Sequence, residues 1–424
     1  MRVVILGAGY AGVTLARRLE SALPPSVDLV VVDESETHLV KHEVHRVIRR
    51  PSVADAIQVP LTKLFDRATV RTERVSEVDR ENRTVHFADG ESLSYDYAAV
   101  CLGSTTADYG IPGVAEHGLV LTSVEDALAI REAFFDALES RTETDSDAEA
   151  VADGETDSDA EAVADGETGG ADVDTSSDTR AEPVADAEPL HVVVGGAGLS
   201  GIQTAGELAA LAREEGVAAE ITLVEQLDDV APNFPANFRE AVRAELQERG
   251  VSISTGTTVE RATADAVETD RGTFDADVFV WTGGIRGTDA MAGDRPVVRN
   301  DLRVDERTFA VGDAARAVDV DGEPVPASAS AALREAGTVA DNIARLVEYE
   351  QRGSTEFAPR LDPYRFEVPG WIATVGEGTV AQLGPEVVTG AAAKAMKTAV
   401  GAGHLSAVGA VRDAVELVEA ELRA

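Results

Sequence analysis

The stretch VVVGGAGLSGIQTAGEL, residues 192–208, has the sequence pattern of a strand followed directly by a glycine-rich turn and a helix. Val192 begins a short apolar run, glycines with the spacing G-x-G-x-x-G follow, and apolar residues then recur at helical positions as far as Leu208. In this pattern the first glycine allows a tight turn, the second lets a pyrophosphate approach the backbone, and the third lets the helix pack on the strand. The glycines are Gly196, Gly198 and Gly201. They predict a dinucleotide-binding unit.

A second copy of the pattern opens the chain, in MRVVILGAGYAGVTLARRLE at residues 1–20. Its glycines are Gly7, Gly9 and Gly12. In each copy a second apolar strand ends in an acid, at Asp33, 21 positions beyond Gly12, and at Glu225, 24 positions beyond Gly201. An acid there binds ribose hydroxyls and repels a 2′-phosphate; the less favoured alternative is that both acids merely end exposed strands. Two complete patterns predict two dinucleotide sites.

The charge of the chain is strongly acidic. Asp and Glu number 77 against 37 Lys and Arg, which gives a formal net charge of −40. Self-repulsion of this size strains a compact fold in dilute buffer, but in molar salt the Debye length falls to about 3 Å and the repulsion is screened. The composition therefore resembles that of haloarchaeal proteins of the cytoplasm. Because no basic stripe is visible, nucleic acid is not expected as a partner.

Cysteine content and hydropathy limit the class of protein. The single cysteine, Cys101, excludes an internal disulfide and a CxxC redox centre, and its apolar surroundings YAAVCLG predict a core residue. No signal peptide precedes the first strand and no apolar run reaches the length of a membrane span. We therefore expect an intracellular, cytoplasmic protein.

An acidic insertion occupies about 141–189. TDSDAEAVADGE occurs twice in tandem there, at 144–155 and 156–167. Such a segment buries too little apolar surface to offset its ordering entropy, so we expect it to be disordered. A tail that binds a cation or a basic partner is the less favoured alternative.

The rest of the chain divides into four parts. Residues 1–118 hold the first nucleotide motif and residues 119–278 hold the second, together with the insertion. Over 279–345 the pattern returns to strand, turn and helix, and 346–424 shows short alternating strands followed by helical spacing from Ala391 onwards.

Several further segments resemble the flavoproteins with two dinucleotide-binding domains, and among them the type II NADH dehydrogenases. DYAAVCLGS, ADVFVWTGGIR, ERTFAVGDAA, THLVKHEVHRV and GWIATVGEGTVAQLG are each similar to a segment of that family. The resemblance covers nearly the whole chain apart from the insertion. It implies an α/β fold with two Rossmann-like dinucleotide-binding domains, the second inserted in the first, plus a small C-terminal α+β region.

The resemblance also implies an oxidoreductase that uses FAD and NADH. FAD would be bound by the N-terminal motif and by residues from three later segments, namely Gly7, Gly9, Gly12, Asp33, His38, Gly103 and Asp313. NADH would be bound by the second motif, with Gly196, Gly198, Gly201, Glu225 and Gly283. Hydride would then pass between stacked rings, a reaction whose chemistry belongs to the cofactors. The spacing of the histidines at 38, 42 and 45 fits no tight ligand set, so no metal site is expected.

Three catalytic positions depart from the family pattern. Gln203 stands where the family usually has a glutamate near the nicotinamide, and an amide cannot trade a proton. Ser330 and Arg334 stand at the two glutamine positions of the helix that contacts the quinone. Arg334 then either donates to a quinone or points away and pairs with an acid. The flavin half of the reaction follows from the motifs, whereas the identity of the acceptor stays open.

The C-terminal segment also departs from the family, in which helices rich in Trp, Phe and Leu dock on the membrane. Residues 389–424 contain no aromatic residue, and the last helix has an apolar face and an acidic face. The apolar face consists of Leu405, Val408, Val411, Val415, Val418 and Leu422. This pattern favours packing on the protein or on a second subunit over membrane insertion. A homodimer and peripheral contact with the inner face of the cell membrane both stay open.

Three functional hypotheses remain. The first is an FAD-dependent NADH dehydrogenase that passes electrons to a quinone. The second keeps FAD and NADH but sends the electrons to a soluble carrier or to oxygen. The third is a flavin-binding scaffold with residual activity. Sulfide:quinone and disulfide reductases are discarded because their redox cysteines are missing.

Overall fold

The structure is a computed structural model of the chain. It describes residues 1–152, 188–353 and 357–407, followed by residues 409–410, 414–415 and 418. Residues 153–187, which form most of the stretch that we expect to be disordered, lie outside the described residues. The same holds for Val408, Val411 and Leu422 of the predicted C-terminal apolar face.

The secondary structure alternates between strands and helices. Up to residue 152 the strands are β1 (Arg2–Leu6), β2 (Asp28–Asp33), β3 (Thr37–Leu39), β4 (Gln58–Pro60), β5 (Thr69–Thr72), β6 (Val75–Asp79), β7 (Thr84–Phe87), β8 (Ser92–Ser94), β9 (Tyr97–Val100) and β10 (Thr105–Thr106), and the helices are α1 (Tyr10–Ala22), α2 (Arg46–Arg49), α3 (Val114–His117) and α4 (Val124–Ala152). Between residues 188 and 286 the strands are β11 (Leu190–Gly195), β12 (Ala219–Glu225), β13 (Val251–Thr255), β14 (Val259–Ala262), β15 (Ala266–Thr269), β16 (Gly272–Asp275), β17 (Val278–Trp281) and β18 (Ile285–Arg286), and the helices are α5 (Leu199–Glu215) and α6 (Ala236–Glu248). The last are β19 (Thr308–Ala310), β20 (Gly370–Val375), β21 (Gly378–Leu383) and β22 (Glu386–Thr389), with α7 (Ala329–Gln351) and α8 (Gly390–Ala407).

The first sheet is parallel and has the strand order β19-β9-β1-β2-β5. β1 and β2 are almost wholly buried apolar runs, as expected for parallel strands that are covered on both faces. β19 pairs with β9, although the whole second glycine-rich unit lies between them in the chain. The second unit is therefore inserted in the first, as the sequence predicts.

The second sheet is also parallel, with the order β13-β12-β11-β17. β17 begins at residue 278, which is the predicted last residue of the second unit. Because β17 pairs with β11, the whole strand belongs to the second sheet. Leu119 forms an isolated bridge with Val280, so the chain enters this unit close to residue 119. The α/β fold with two Rossmann-like units is confirmed.

Helix α4 is longer than the sequence pattern indicates. We expect disorder from about 141, whereas the backbone of α4 stays helical as far as Ala152. Five of the eleven residues 142–152 are Ala or Glu, which are good helix formers, and they allow a helix that already exists to continue.

The C-terminal region consists of the antiparallel sheet β20-β21-β22 and helix α8, which packs on β21. Helix α7 begins where the Ser328 side chain accepts a hydrogen bond from Ala331 N at 3.2 Å, and it packs along α1. The predicted α+β character of this region agrees with these elements. Within the described residues, none of the helices has the length and apolarity to cross a bilayer.

Candidate dinucleotide sites and the buried cluster between them

Each of the three glycines of the first glycine-rich loop has a different structural role. Gly7 has φ +99°, and an added Cβ would overlap the carbonyl oxygen of Cys101. At Gly12 an added Cβ would overlap the carbonyl oxygen of Gly7, so only glycine lets α1 approach the strand. At Gly9 an added Cβ meets nothing within 4 Å. Open space at the N-terminus of α1, where backbone N–H groups point outwards, is what a pyrophosphate requires.

The second loop repeats this arrangement. Gly196 has φ +96°, and its added Cβ would lie 2.8 Å from the Cα of Gly283. At Gly201 an added Cβ would overlap the carbonyl oxygen of Gly196, whereas Gly198 again faces open space. Gly283 itself has no room for a side chain because the ring of Trp281 lies against it. The two loops are therefore equivalent cradles, each open only at its middle glycine.

Each predicted acid lies beside its loop. Asp33 Oδ2 accepts from Ala8 N at 2.5 Å, and burial raises the pKa of this carboxyl despite the backbone donors of Ala8 and Ser35. Glu225 Oε2 accepts from Ala197 N at 2.7 Å, and the side chain is 7% exposed. A carboxylate oxygen accepts more than one hydrogen bond, so both acids keep lone pairs for ribose hydroxyls. Neither acid simply ends an exposed strand.

Asp313 lies in a short 3₁₀ helix, Gly312–Ala314, whose backbone is fixed by two side chains. Arg295 Nε donates to the carbonyl oxygen of Asp313 at 2.7 Å. Glu335 Oε2 accepts from Gly312 N at 2.6 Å. Glu335 is 1% exposed, and its burial raises the pKa to about 7. The role of Glu335 was not expected from the sequence, because an acid inside an amphipathic helix carries no local signal of burial.

Two of the three predicted catalytic residues, Ser330 and Arg334, are in direct contact. Arg334 Nη1 donates to Ser330 Oγ at 2.6 Å and to its carbonyl oxygen at 3.1 Å, so these two residues meet within α7. Both of these hydrogen-bond partners belong to Ser330, whereas the alternative was an acid partner. Arg334 also lines an open cleft of about 600 Å³, together with Tyr364 and Arg365. Gln203 is half-buried on α5, and Gly103 has φ +70° with open space around it.

His38 lies in a buried contact between the first loop and the C-terminal helix. Its Nδ1 is 2.9 Å from the carbonyl oxygen of Ala8, and its Nε2 is 3.0 Å from His404 Nε2. Since the carbonyl oxygen can only accept, Nδ1 carries the proton and His404 donates to His38 Nε2. Burial lowers the pKa of His38 to about 4 and that of His404 to about 3, which keeps both rings neutral. The role of His404 was not expected from the sequence.

A buried cluster of charged side chains joins α2, α5 and α8. Glu43 accepts from Arg46 and pairs with Lys397, each at 3.0 Å, while Arg49 donates to Glu207 at 2.6 Å. Burial raises the pKa of Glu43, but the nearby Lys397, His42 and Arg46 outweigh it and hold the pKa well below its usual range. Sequence reasoning missed this cluster, since its members come from three distant segments.

Comparison with known proteins agrees with this geometry. The family model described as pyridine nucleotide-disulphide oxidoreductase matches residues 1–336. The type II NADH:quinone oxidoreductase of Staphylococcus aureus strain NCTC 8325 is 23% identical over 387 residues, covering 85% of this chain and 86% of its own length. The enzyme of the same name from Haemophilus influenzae is 26% identical over 387 residues, covering 82% of this chain and 80% of its own.

A solved structure shows the same fold. NDH2 from Plasmodium falciparum, solved in complex with NADH, superposes with a TM-score of 0.76 at 14% identity, covering 98% of this chain and 97% of the other. The predicted resemblance to flavoproteins with two dinucleotide-binding domains is confirmed by the family match and by this superposition.

Proposed function

The chain belongs to the pyridine nucleotide-disulphide oxidoreductase family, and from that premise we propose that it is an FAD-dependent NADH dehydrogenase that passes electrons to a quinone. The relatives from S. aureus and H. influenzae carry the name of this reaction and align over more than four fifths of the chain. The single observation that supports it best is the pair of equivalent loops with open space at Gly9 and Gly198.

The residues present fit the two cofactors. FAD is held in this proposal by the first loop, with Asp33 on the ribose and with His38, Gly103 and Asp313 nearby. NADH would be held by the second loop, with Glu225 as the acid that binds its ribose and with Gly283, which packs against Gly196, as a further residue of the site. When bound, the two cofactors supply the hydride transfer. The protein's own contribution is to present N–H groups to each pyrophosphate and to fix the Asp313 turn through Arg295 and Glu335.

The acceptor side of the proposal rests on α7. Arg334 is a half-buried guanidinium with a hydroxyl and a carbonyl as its partners, so it keeps N–H groups for an acceptor. A positive charge beside the acceptor stabilises the anion that forms as electrons arrive. Gln203 contributes an amide that hydrogen-bonds but does not exchange a proton.

A second candidate acceptor is a soluble acidic electron carrier. The cleft opens to the surface and is lined by Arg334 and Arg365 against one acid, Glu367, in a chain that is otherwise strongly acidic. The described part of α8 also buries Lys397, His404 and Leu405 against the protein, so these side chains do not serve membrane contact. We also propose, separately from the identity of the acceptor, that the protein contacts the inner face of the cell membrane peripherally and that it forms a homodimer.

Stepwise reduction of the purified protein tests the proposal. The protein is purified in molar KCl, its flavin spectrum is recorded, and NADH is titrated without oxygen. Bleaching of a bound flavin supports the enzyme, whereas a flavin that NADH leaves oxidised supports the scaffold hypothesis. Adding a menaquinone analogue or a ferredoxin afterwards separates the two acceptors. Co-sedimentation with lipid vesicles and light scattering in the same salt test membrane contact and the dimer.

A further inference from the structure

The loop of the first dinucleotide unit is in contact with the C-terminal helix through two histidines. The carbonyl oxygen of Ala8 lies 2.9 Å from His38 Nδ1, and His38 Nε2 lies 3.0 Å from Nε2 of His404 on α8. The exposed fractions of the two histidines are 0% and 9%. The ring of Tyr10, the first residue of α1, meets both imidazoles edge-on, with centroid distances of 5.5 Å and 4.6 Å. The residues on both sides of Gly9 therefore contact this histidine pair.

These contacts fix the direction of the N–H group of Gly9. A peptide group is planar, so the carbonyl oxygen of Ala8 and the N–H of Gly9 turn together. The preceding peptide group is held as well, because Ala8 N donates to Asp33 Oδ2. Gly9 is the residue at which the loop is open, and N–H groups at this end of a helix are the ones that a pyrophosphate approaches. The geometry of the loop thus depends on His38.

His404 determines which nitrogen of His38 carries the proton. A neutral imidazole has a single N–H, so a His38 that donates to Ala8 from Nδ1 must accept at Nε2. That nitrogen lies in the protein interior, where an acceptor without a donor is unfavourable, and His404 supplies the donor. Without this donor the tautomer loses its advantage, and the other tautomer turns a lone pair towards the carbonyl oxygen of Ala8.

The second loop holds the equivalent carbonyl group in a different way. Ala197 occupies the place of Ala8, and its N–H donates to Glu225 as that of Ala8 donates to Asp33. Its carbonyl oxygen, however, accepts from the backbone N–H of Ala231 at 2.8 Å, and this residue belongs to the same unit. A dependence on the C-terminal helix is therefore expected for the first loop and not for the second.

We propose that His404 is a positioning residue of the first dinucleotide site: through His38 it fixes the peptide group between Ala8 and Gly9, so the packed α8 strengthens FAD binding at this loop and leaves NADH binding at the second loop unaffected. The inference rests on the proposed function, in which FAD occupies the first loop. Coupling of this kind is reciprocal, so bound FAD in turn stabilises the packing of α8.

Release of FAD tests the role of His404. Holoenzymes of the wild type, His404→Leu, His404→Gln and Leu405→Ala are diluted in molar KCl, and the fluorescence of released FAD gives the dissociation constant. His404→Leu keeps an apolar side chain but loses the donor, so FAD should bind about tenfold more weakly. His404→Gln keeps an N–H donor and should restore most of the affinity. Leu405 is fully buried next to His404, so Leu405→Ala should lower the free energy of unfolding with little change in FAD affinity.

Two spectroscopic and binding measurements separate positioning from a general loss of stability. Calorimetric titration with NAD⁺ should give the wild-type affinity in all four proteins, since the second loop is held within its own unit. In ¹⁵N spectra of histidine-labelled protein, His38 should carry its proton on Nδ1 in the wild type and in His404→Gln. His404→Leu should lose this signature.

Hydrogen exchange tests the reciprocal effect without any substitution. Adding FAD to the wild-type apoprotein should slow exchange along α8 more than along α6 of the second unit. Adding NAD⁺ should not favour α8 in this way. This measurement also decides the matter if His404→Leu does not fold.

Several results would overturn the inference. If the wild type and His404→Leu release FAD equally, the proposed function stands but His404 does not position the loop. If His404→Leu and Leu405→Ala weaken FAD binding alike, or if His404→Leu weakens FAD and NAD⁺ alike, the effect comes from packing alone. Exchange along α8 that FAD leaves unchanged refutes the coupling. A wild type that binds no FAD refutes the proposed function, and the inference falls with it.

Discussion

Replacement of Gly9 by valine separates cofactor binding from folding. The backbone at Gly9 has φ −71°, which any residue adopts, and an added Cβ meets nothing within 4 Å. Gly9 is the N-cap of α1, where glycine is preferred over an apolar residue by about 1 kcal/mol or less. The apoprotein should therefore fold with a small loss of stability.

The loss of FAD affinity should be much larger. A side chain at Gly9 fills the space through which a pyrophosphate reaches the N–H groups at the start of α1. Hydrogen bonds from these groups to a charged phosphate contribute about 1.5–3 kcal/mol each. Losing two of them amounts to about 3–6 kcal/mol, which corresponds to about 10²–10⁴-fold weaker binding.

The assay is the ratio of flavin to protein absorbance after purification in molar KCl, followed by FAD titration of the apoprotein. Gly198→Val is the matched control, since its added Cβ also meets open space. That variant should keep its yellow colour and be reduced by dithionite but not by NADH. A Gly9→Val protein with full flavin content, or a Gly198→Val protein without flavin, would refute the assignment of the two loops.

Three further results are expected. NADPH should be a poorer substrate than NADH because the carboxylate of Glu225 repels the 2′-phosphate of NADPH. The measurement is kcat/KM for both nucleotides, and Glu225→Gln should reduce the difference between the two values. Equal values in the wild type would contradict the role of Glu225. Arg334→Ala should leave flavin reduction unchanged and slow reoxidation by a menaquinone analogue by about tenfold, or about 1.4 kcal/mol; unchanged rates in stopped-flow traces would remove Arg334 from the acceptor site. Glu335 has a folded-state pKa raised from 4.5 to about 7, so the folded state binds the extra proton and the free energy of unfolding falls as pH rises through this window. The loss amounts to about 3 kcal/mol in all, and denaturant unfolding of Glu335→Gln apoprotein at pH 5 and pH 8 should show a flatter dependence than the wild type.

The sequence by itself determined the two glycine-rich units and their order. The strand, the three glycines and the acid of each unit lie within a short stretch, and each is dictated by local chemistry. Gly7 and Gly196 need a positive φ, while Gly12 and Gly201 need a close backbone approach. Continuous apolar strands such as β1 and β2 indicate a parallel sheet covered on both faces. Patterns of this kind do not depend on distant residues, so they are readable without a structure.

Only the tertiary structure decided the partners of the buried polar groups. His38 and His404 are 366 positions apart, and Arg49 and Glu207 are 158 apart, yet both pairs are in hydrogen-bond contact. Glu335 is an ordinary helical glutamate in the sequence, and it is burial in the folded chain that raises its pKa to about 7, against the opposing effect of the Gly312 N–H that donates to it. The energy of a buried charge depends on which groups the fold brings within a few ångströms of it and on how completely water is excluded. Neither quantity is encoded in any local window, so these buried contacts form only when the two units and the C-terminal helix pack together.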